Sequence, residues 1–320
     1  MKTSLTSFRD SENLNRYLRY LVFFVLFFGV KLWLVRQFGN PIPFWDQWDG
    51  EAGNLYKPYL DGTLGAGNLF APHNEHRIFT TRIVALALLA INKSWNPLLQ
   101  MVFNAGVHAL VLMYCIRLLE KVTGRKSLPA LLAFTFVVFA VPYAWENSLA
   151  GFQLQFYLVF FFSVATLWHT ISYQPFTGKW WTGIFLGVLA FLSLASGIFV
   201  IAAAAGIGLL QYITGTDRNR KRLLSVGLLL LMFAIGAWLT PALPHHVEFK
   251  AKNLTQFLGA MSGTLSWPMK NSILSVVVRN APALVFLFLF FRKKRPAGDR
   301  RWFIAGMIAW MLCQSVSIAY

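Results

Sequence analysis

Residues 128–141 read LPALLAFTFVVFAV, a run without a single charge, with Arg125 and Lys126 just before it and Glu146 just after. A barrel strand would alternate apolar and polar residues with period two, and this run does not. LVFFVLFFGV (21–30) and APALVFLFLFF (281–291) have the same character. Runs of this kind are long enough, or nearly so, to cross about 30 Å of hydrocarbon. Only helices or closed barrels satisfy their backbone in lipid. The reading is therefore all-α, a polytopic transmembrane helix bundle.

Composition agrees. The chain has 320 residues, of which 57% are hydrophobic and 13% charged, against roughly a quarter charged in soluble domains. The formal charge of +17 would suit a nucleic-acid binder. The basic residues, however, fall in short clusters between apolar runs, the pattern of membrane topogenesis and headgroup contact. No nucleic-acid partner is expected. Cys115 and Cys313 both lie inside apolar runs and supply no disulfide framework. Arg9, Arg16 and Arg19 precede the first run with no small-residue cleavage site after it, which reads as an uncleaved signal anchor.

Topology follows outward from RLLEKVTGRK (117–126), which the positive-inside rule makes cytoplasmic. A first span over about 19–37 and a second over about 97–118 then enclose an outer loop, 38–96. The run at 78–91 is too short to cross and is read as an interfacial or re-entrant helix carrying Arg82. Further spans are expected at about 128–143, 152–171, 180–195, 198–214, 223–240, 272–291 and 302–320, nine in all. Of the acidic residues, Asp46, Asp49, Glu51, Asp61 and Glu75 gather in the outer loop. Tyr320 falls inside an apolar run, so a chain continuing beyond it is expected. Residues 1–215 are read as a transmembrane core with the outer loop 38–96, and 216–320 as additional transmembrane helices.

Three outer stretches carry chemistry. In FWDQWDGE (44–51), Asp46 and Asp49 are three apart, on one face of a helix, with Trp45 and Trp48 as headgroup anchors. They are either carboxylates facing water or a general base at the lipid boundary, able to deprotonate an attacking hydroxyl. In PHNEHR (72–77), His73, His76 and Arg77 would share one helical turn, with Glu75 pointing away. The stretch lacks the HExxH pattern, and a divalent metal would need Asp46, Asp49 or Glu146 to join the histidines. Either it caps the 78–91 helix, or Arg77 with His73, His76 and Arg82 meets a phosphate. In WENSLAGFQLQFY (145–157), either Asn147 or Ser148 caps the following helix and Trp145 marks the interface, or Glu146 and Gln153 hydrogen-bond sugar hydroxyls. PALPHHVEFKAKN (241–253), with His245, His246, Lys250 and Lys252, reads as a solvated loop.

The order of these elements resembles that of the GT-C glycosyltransferases, polytopic enzymes using lipid-phosphate-linked sugars. The likeness covers roughly 17–215 and is carried by FWDQWDGE, PHNEHR and WENSLAGFQ, which look like a bacterial branch of that superfamily. The resemblance implies that Asp46 or Asp49 is the catalytic base and that Glu146 corresponds to the second-loop carboxylate. Glu75, Glu146 and Gln153 would position substrate. It implies a polyprenyl-phosphate-linked sugar as donor, a glycan, lipid or protein as acceptor, and membrane lipids as surroundings. The implied location is a bacterial inner (plasma) membrane, N-terminus cytoplasmic and active loop periplasmic or extracellular. Here D-x-x-D-x-E replaces the paired acidic residues common in that family, and Ser196-Gly197 stands where a lysine is usual. The other expectations are a flippase or transporter of lipid-linked sugars, or a non-catalytic assembly subunit.

Overall fold

The computed structural model describes residues 2–244, 248 and 250–320, with side chains from Glu12 onward; His245 and His246 lie outside the described residues. Among them the chain is helical throughout, and its only extended pairing is an isolated bridge between His73 and His76. Among the described residues, eight helices are long and apolar enough to cross a membrane: Glu12–Phe38, Pro97–Thr123, Arg125–Leu149, Gly151–Ser172, Ala195–Ile213, Arg220–Leu239, Ile273–Phe291 and Arg301–Ala319. Each overlaps an expected span. The expected span at 180–195 is the shorter helix Gly178–Ser193, of 16 residues. The run at 78–91 forms a helix of 14 residues, Phe79–Asn92.

The chain divides into two compact units, 1–71 with 79–161, and 72–78 with 162–320. Residue 215, the expected division between core and additional helices, lies inside the second.

In the first unit, α1 (Lys2–Phe38) packs on α5 (Pro97–Thr123) and α6 (Leu128–Ala140). Tyr20, Phe23 and Phe27 of α1 meet Ala109, Leu112 and Ile116 of α5, with Leu128 closing the cluster. Both sets follow i, i+3, i+7, the stripe a helix presents to one neighbour. Asn96 starts α5 by accepting from the Leu99 amide at 3.1 Å, with Pro97 in the first turn. Gly124, at φ 92°, follows the helix end. His108 stacks on Tyr157 with centroids 4.4 Å apart and meets Phe27 edge-on, a packing role.

Between α1 and α5 lie a π-helix (Gln47–Tyr56), α2 (Lys57–Leu60), α3 (Ala66–Phe70) and α4 (Phe79–Asn92). Leu55 and Tyr56 pack against Ala85 and Leu89 of α4, with Leu69 and Trp95 around them. One face of α4 thus covers the outer loop while Ile83 and Ile91 stay exposed. After α6 come α7 (Trp145–Leu149), a turn at Gly151–Gln153, and α8 (Leu154–Ser172), which continues from the first unit into the second.

The second unit holds α9 (Gly178–Ser193), α10 (Phe199–Ile213), α11 (Arg220–Leu239), α12 (Leu254–Ser266), α13 (Ile273–Phe291) and α14 (Arg301–Ala319). Helix α10 packs on α11 and α14, and α12 on α13 and α14. Gly183 lets α9 close on α8: a Cβ there would stand 2.8 Å from His169 Cβ. Small residues at helix crossings are how apolar helices associate in lipid. Gln314 of α14 donates to the Ser196 carbonyl at 2.8 Å.

Candidate functional site

The π-helix departs from the α-helix expected for FWDQWDGE. Its end is marked by the Lys57 amide, which bonds to Ala52 O, five residues back. The wider turn puts Gln47, Glu51, Leu55 and Tyr56 on the buried side. Such helices are rare and occur mostly as single-turn insertions, frequently at functional sites.

Buried Glu51 is one of two residues that sequence reasoning missed. Its carboxylate accepts from Gln47 Nε2 at 3.1 Å, Trp95 Nε1 at 3.2 Å and Gln100 Nε2 at 2.8 Å. Gln47 Nε2 also donates to Gln100 Oε1 at 2.9 Å, and Gln100 Nε2 to the Tyr56 hydroxyl at 3.2 Å. Gln47 Oε1 accepts from the Phe44 amide at 3.1 Å. Both amides therefore use oxygen and nitrogen, and a network satisfied this fully is rigid. Desolvation pushes the Glu51 carboxyl up to about 7, against the pull of its three donors. The same burial, with the Glu51 charge beside it, holds the Tyr56 phenol above its ordinary value.

Asp46 stands at the N-cap of this helix and Asp49 in its first turn, both exposed. The helix N-terminus favours carboxylates there. Trp45 precedes them at φ 47°, a conformation costing a bulky residue about 1–3 kcal/mol. Its surroundings hold it: the ring stacks on Phe44, the Trp48 amide donates to Trp45 O at 3.0 Å, and Trp48 Nε1 donates to Pro43 O at 3.0 Å.

The second acidic segment lies against the first. The π-helix touches the Gly151–Gln153 turn, which rests on α5. Gly151 is required by this approach, since a Cβ would come within 2.5 Å of Gln100 Oε1. Asn104 Nδ2 donates to the Gly151 carbonyl at 2.8 Å, and the Tyr157 hydroxyl to Asn147 O at 2.7 Å. Lys31, buried in α1 and also missed by sequence reasoning, donates to Ser148 Oγ at 3.3 Å. On this pinned segment Glu146 is exposed and Gln153 half-buried, the latter accepting from Gln155 Nε2 at 3.4 Å.

PHNEHR is a tight turn instead of the helical turn its spacing suggested. The His73 amide donates to His76 O at 2.7 Å and the His76 amide to His73 O at 3.0 Å, with Asn74 at φ 50°. Asn tolerates that left-handed geometry, and two such bonds close a hairpin that a helix cannot. His76 Nε2 lies 3.5 Å from Glu75 Oε1, so Glu75 turns toward the histidine. Arg77 Nη2 donates to Leu239 O at 3.0 Å, at the end of α11. This turn belongs to the second unit, whereas Asp46, Asp49, Glu51, Arg82, Glu146 and Gln153 belong to the first.

Arg82 is buried, and its Nη1 donates to the Leu69 carbonyl at 3.2 Å and to that of Ala71. It thereby satisfies carbonyls at the end of α3. Burial lowers its pKa. Among the described residues no group of three or more His, Cys, Asp or Glu gathers as a metal site.

Comparison of this chain with known protein families, with curated proteins and with solved structures finds no match.

Proposed function

We propose that this integral membrane protein is an inverting glycosyltransferase of GT-C type. It moves a sugar from a polyprenyl-phosphate donor to an acceptor hydroxyl at the outer face of a bacterial inner membrane. One observation carries the reading: two acidic segments 100 residues apart pack together around a rigid buried network, with Asp46 and Asp49 exposed on its surface.

The chemistry needs a base, a cation and a positioning surface. Asp46 or Asp49 takes the proton from the acceptor hydroxyl. The freed oxygen bonds to the anomeric carbon from the face opposite the phosphate, and the carbon–oxygen bond to phosphate breaks. The phosphate leaves as an anion and needs positive charge where its own develops. Lys31, a buried cation on the α7 side of the same unit, serves as its partner. Glu146 and Gln153 position the sugar or acceptor. Arg82 acts from beneath by holding the end of α3. No step is assigned to a metal.

Nine crossings suit this reading. The 16 residues of α9 reach about 24 Å, short but serviceable beside the Ala195–Ile198 turn. Leaving α9 uncrossed would put Arg218, Arg220, Lys221 and Arg222 outside, against the positive-inside rule. The N-terminus is then cytoplasmic and the outer loop periplasmic.

The competing reading is a flippase. Transporters place ionisable groups along a path through the membrane, whereas the charges set well inside a described span are buried Lys31 of α1 and exposed Arg279 of α13. The full chain, reconstituted in vesicles with a labelled polyprenyl-phosphate sugar, separates the two. Release or transfer of labelled sugar supports the enzyme. Movement of intact donor between leaflets, with no bond broken, overturns it.

A further inference from the structure

At the opposite, basic end of the first unit, two hollows meet. One is an apolar groove of about 840 Å³ between α1 and α6, lined by Leu18, Val22 and Leu26 on one wall and Leu132 and Phe136 on the other. The second is a polar pocket of about 220 Å³ at the ends of α1, α5 and α6. Asn15 and Arg19 line both. The groove is open to its surroundings, since Leu18, Val22 and Leu26 are each about half exposed.

The polar pocket has a surplus of positive charge. Arg16, Arg19, Arg125 and Lys126 line it, against Glu12 and Glu120. Both carboxylates are engaged. Buried Glu120 is held by Arg16 at 3.1 Å, Arg117 at 2.8 Å and the Tyr20 hydroxyl at 3.1 Å, and Glu12 faces Arg125 at 3.5 Å. Among the described residues, Arg19 and Lys126 have no carboxylate partner. Both are exposed at the mouth.

The dimensions fit one kind of occupant. From Asn15 to Leu26 the α1 wall runs about 17 Å along the axis, close to half of a hydrocarbon core about 30 Å thick. An apolar trough one leaflet deep, with free cations at its headgroup end, complements a molecule that is acyl chain along its length and phosphate at its tip. Basic pockets between membrane helices bind anionic headgroups by the same logic.

We propose that the α1–α6 groove is a binding site for an anionic phospholipid of the leaflet on the basic side, distinct from the outer site. Its acyl chain lies along Leu18, Val22, Leu26 and Phe136, and its phosphate sits between Arg19 and Lys126. This assignment does not depend on the glycosyltransferase reading.

Native mass spectrometry of the full chain in detergent tests it, with dioleoyl phosphatidylglycerol, dioleoyl phosphatidylcholine and inorganic phosphate as probes. Phosphatidylglycerol is expected to be retained at least tenfold better than phosphatidylcholine, whose chains are the same. The Arg19→Gln/Lys126→Gln double variant, altered only at exposed positions, should lose that preference. Ala133→Trp, which fills the groove, should reduce retention of both lipids. Equal retention of the two lipids by the unaltered chain overturns the proposal, as does undiminished preference in the double variant. Displacement of phosphatidylglycerol by equimolar inorganic phosphate would make the site one for a free anion. A lipid-free dimer abolished by Ala133→Trp would assign the groove to a second copy of the chain.

Discussion

Gln100, on a membrane helix, donates to the Glu51 carboxylate of the outer loop at 2.8 Å, while its side-chain oxygen leaves no room for a Cβ on Gly151. One amide thus ties three separated segments. The buried carboxylate is satisfied only if the π-helix, Trp95 and α5 all take their places.

Removing that tie should loosen the outer loop before it harms the bundle. Gln100→Ala leaves the Glu51 carboxylate and Gln47 each short of a partner, at about 1–3 kcal/mol per unsatisfied group. Gly151→Ala forces the turn off Gln100, at about 1–3 kcal/mol for overpacking. Hydrogen exchange at 47–56 should accelerate in both variants, with the amides of α10 unchanged. Uniform acceleration across the chain would contradict the local tie.

Glu51 should make stability depend on pH. Its folded pKa is raised to about 7 from the ordinary 4.5, so the fold favours the protonated form. The stabilisation is fully present below about 4.5 and is lost as pH rises through about 7. The shift corresponds to about 3 kcal/mol. Thermal unfolding in detergent should show the unaltered chain losing stability from pH 5 to pH 8 relative to Glu51→Gln. The amide variant is weaker at all pH values, because it faces two amide donors, but should lack this slope. Parallel pH profiles would remove Glu51 as the titrating group.

Arg82→Met should act on structure. It strands the carbonyls of Leu69 and Ala71, costing about 1–3 kcal/mol, and should expose the Ala66–Phe70 segment to limited proteolysis. Lys31→Met, by contrast, should lower turnover by about 100-fold, the scale of one charge-stabilising donor, with an unaltered cleavage pattern. The reverse assignment of effects would mean that Arg82, not Lys31, meets the anion.

The bundle was legible because membrane helices are written in local composition: a charge-free run such as 128–141 has few other folds open to it. The short α4 was legible for the same reason, by length. The outer loop was harder. Nothing local in FWDQWDGE announces a π-helix, which depends on Gln100 and Trp95 far along the chain. Asn74 was a signal passed over, since Asn in the left-handed region marks a turn. Glu51 stood in the quoted motif, yet burial of a carboxylate depends on donors from other segments. Lys31, a lone charge within an apolar run, could have been flagged from sequence, because lipid does not tolerate it unpaired.

The most direct measurement is sugar transfer from labelled polyprenyl-phosphate sugar by the purified full chain, compared with its Asp46→Asn, Asp49→Asn and double variants. The account predicts transfer by the unaltered chain and a loss of about 100- to 10,000-fold in the double variant, the range for a general base, with unchanged thermal unfolding. Undiminished transfer by the double variant, or no bond cleavage by the unaltered chain across the acceptors tried, would contradict it.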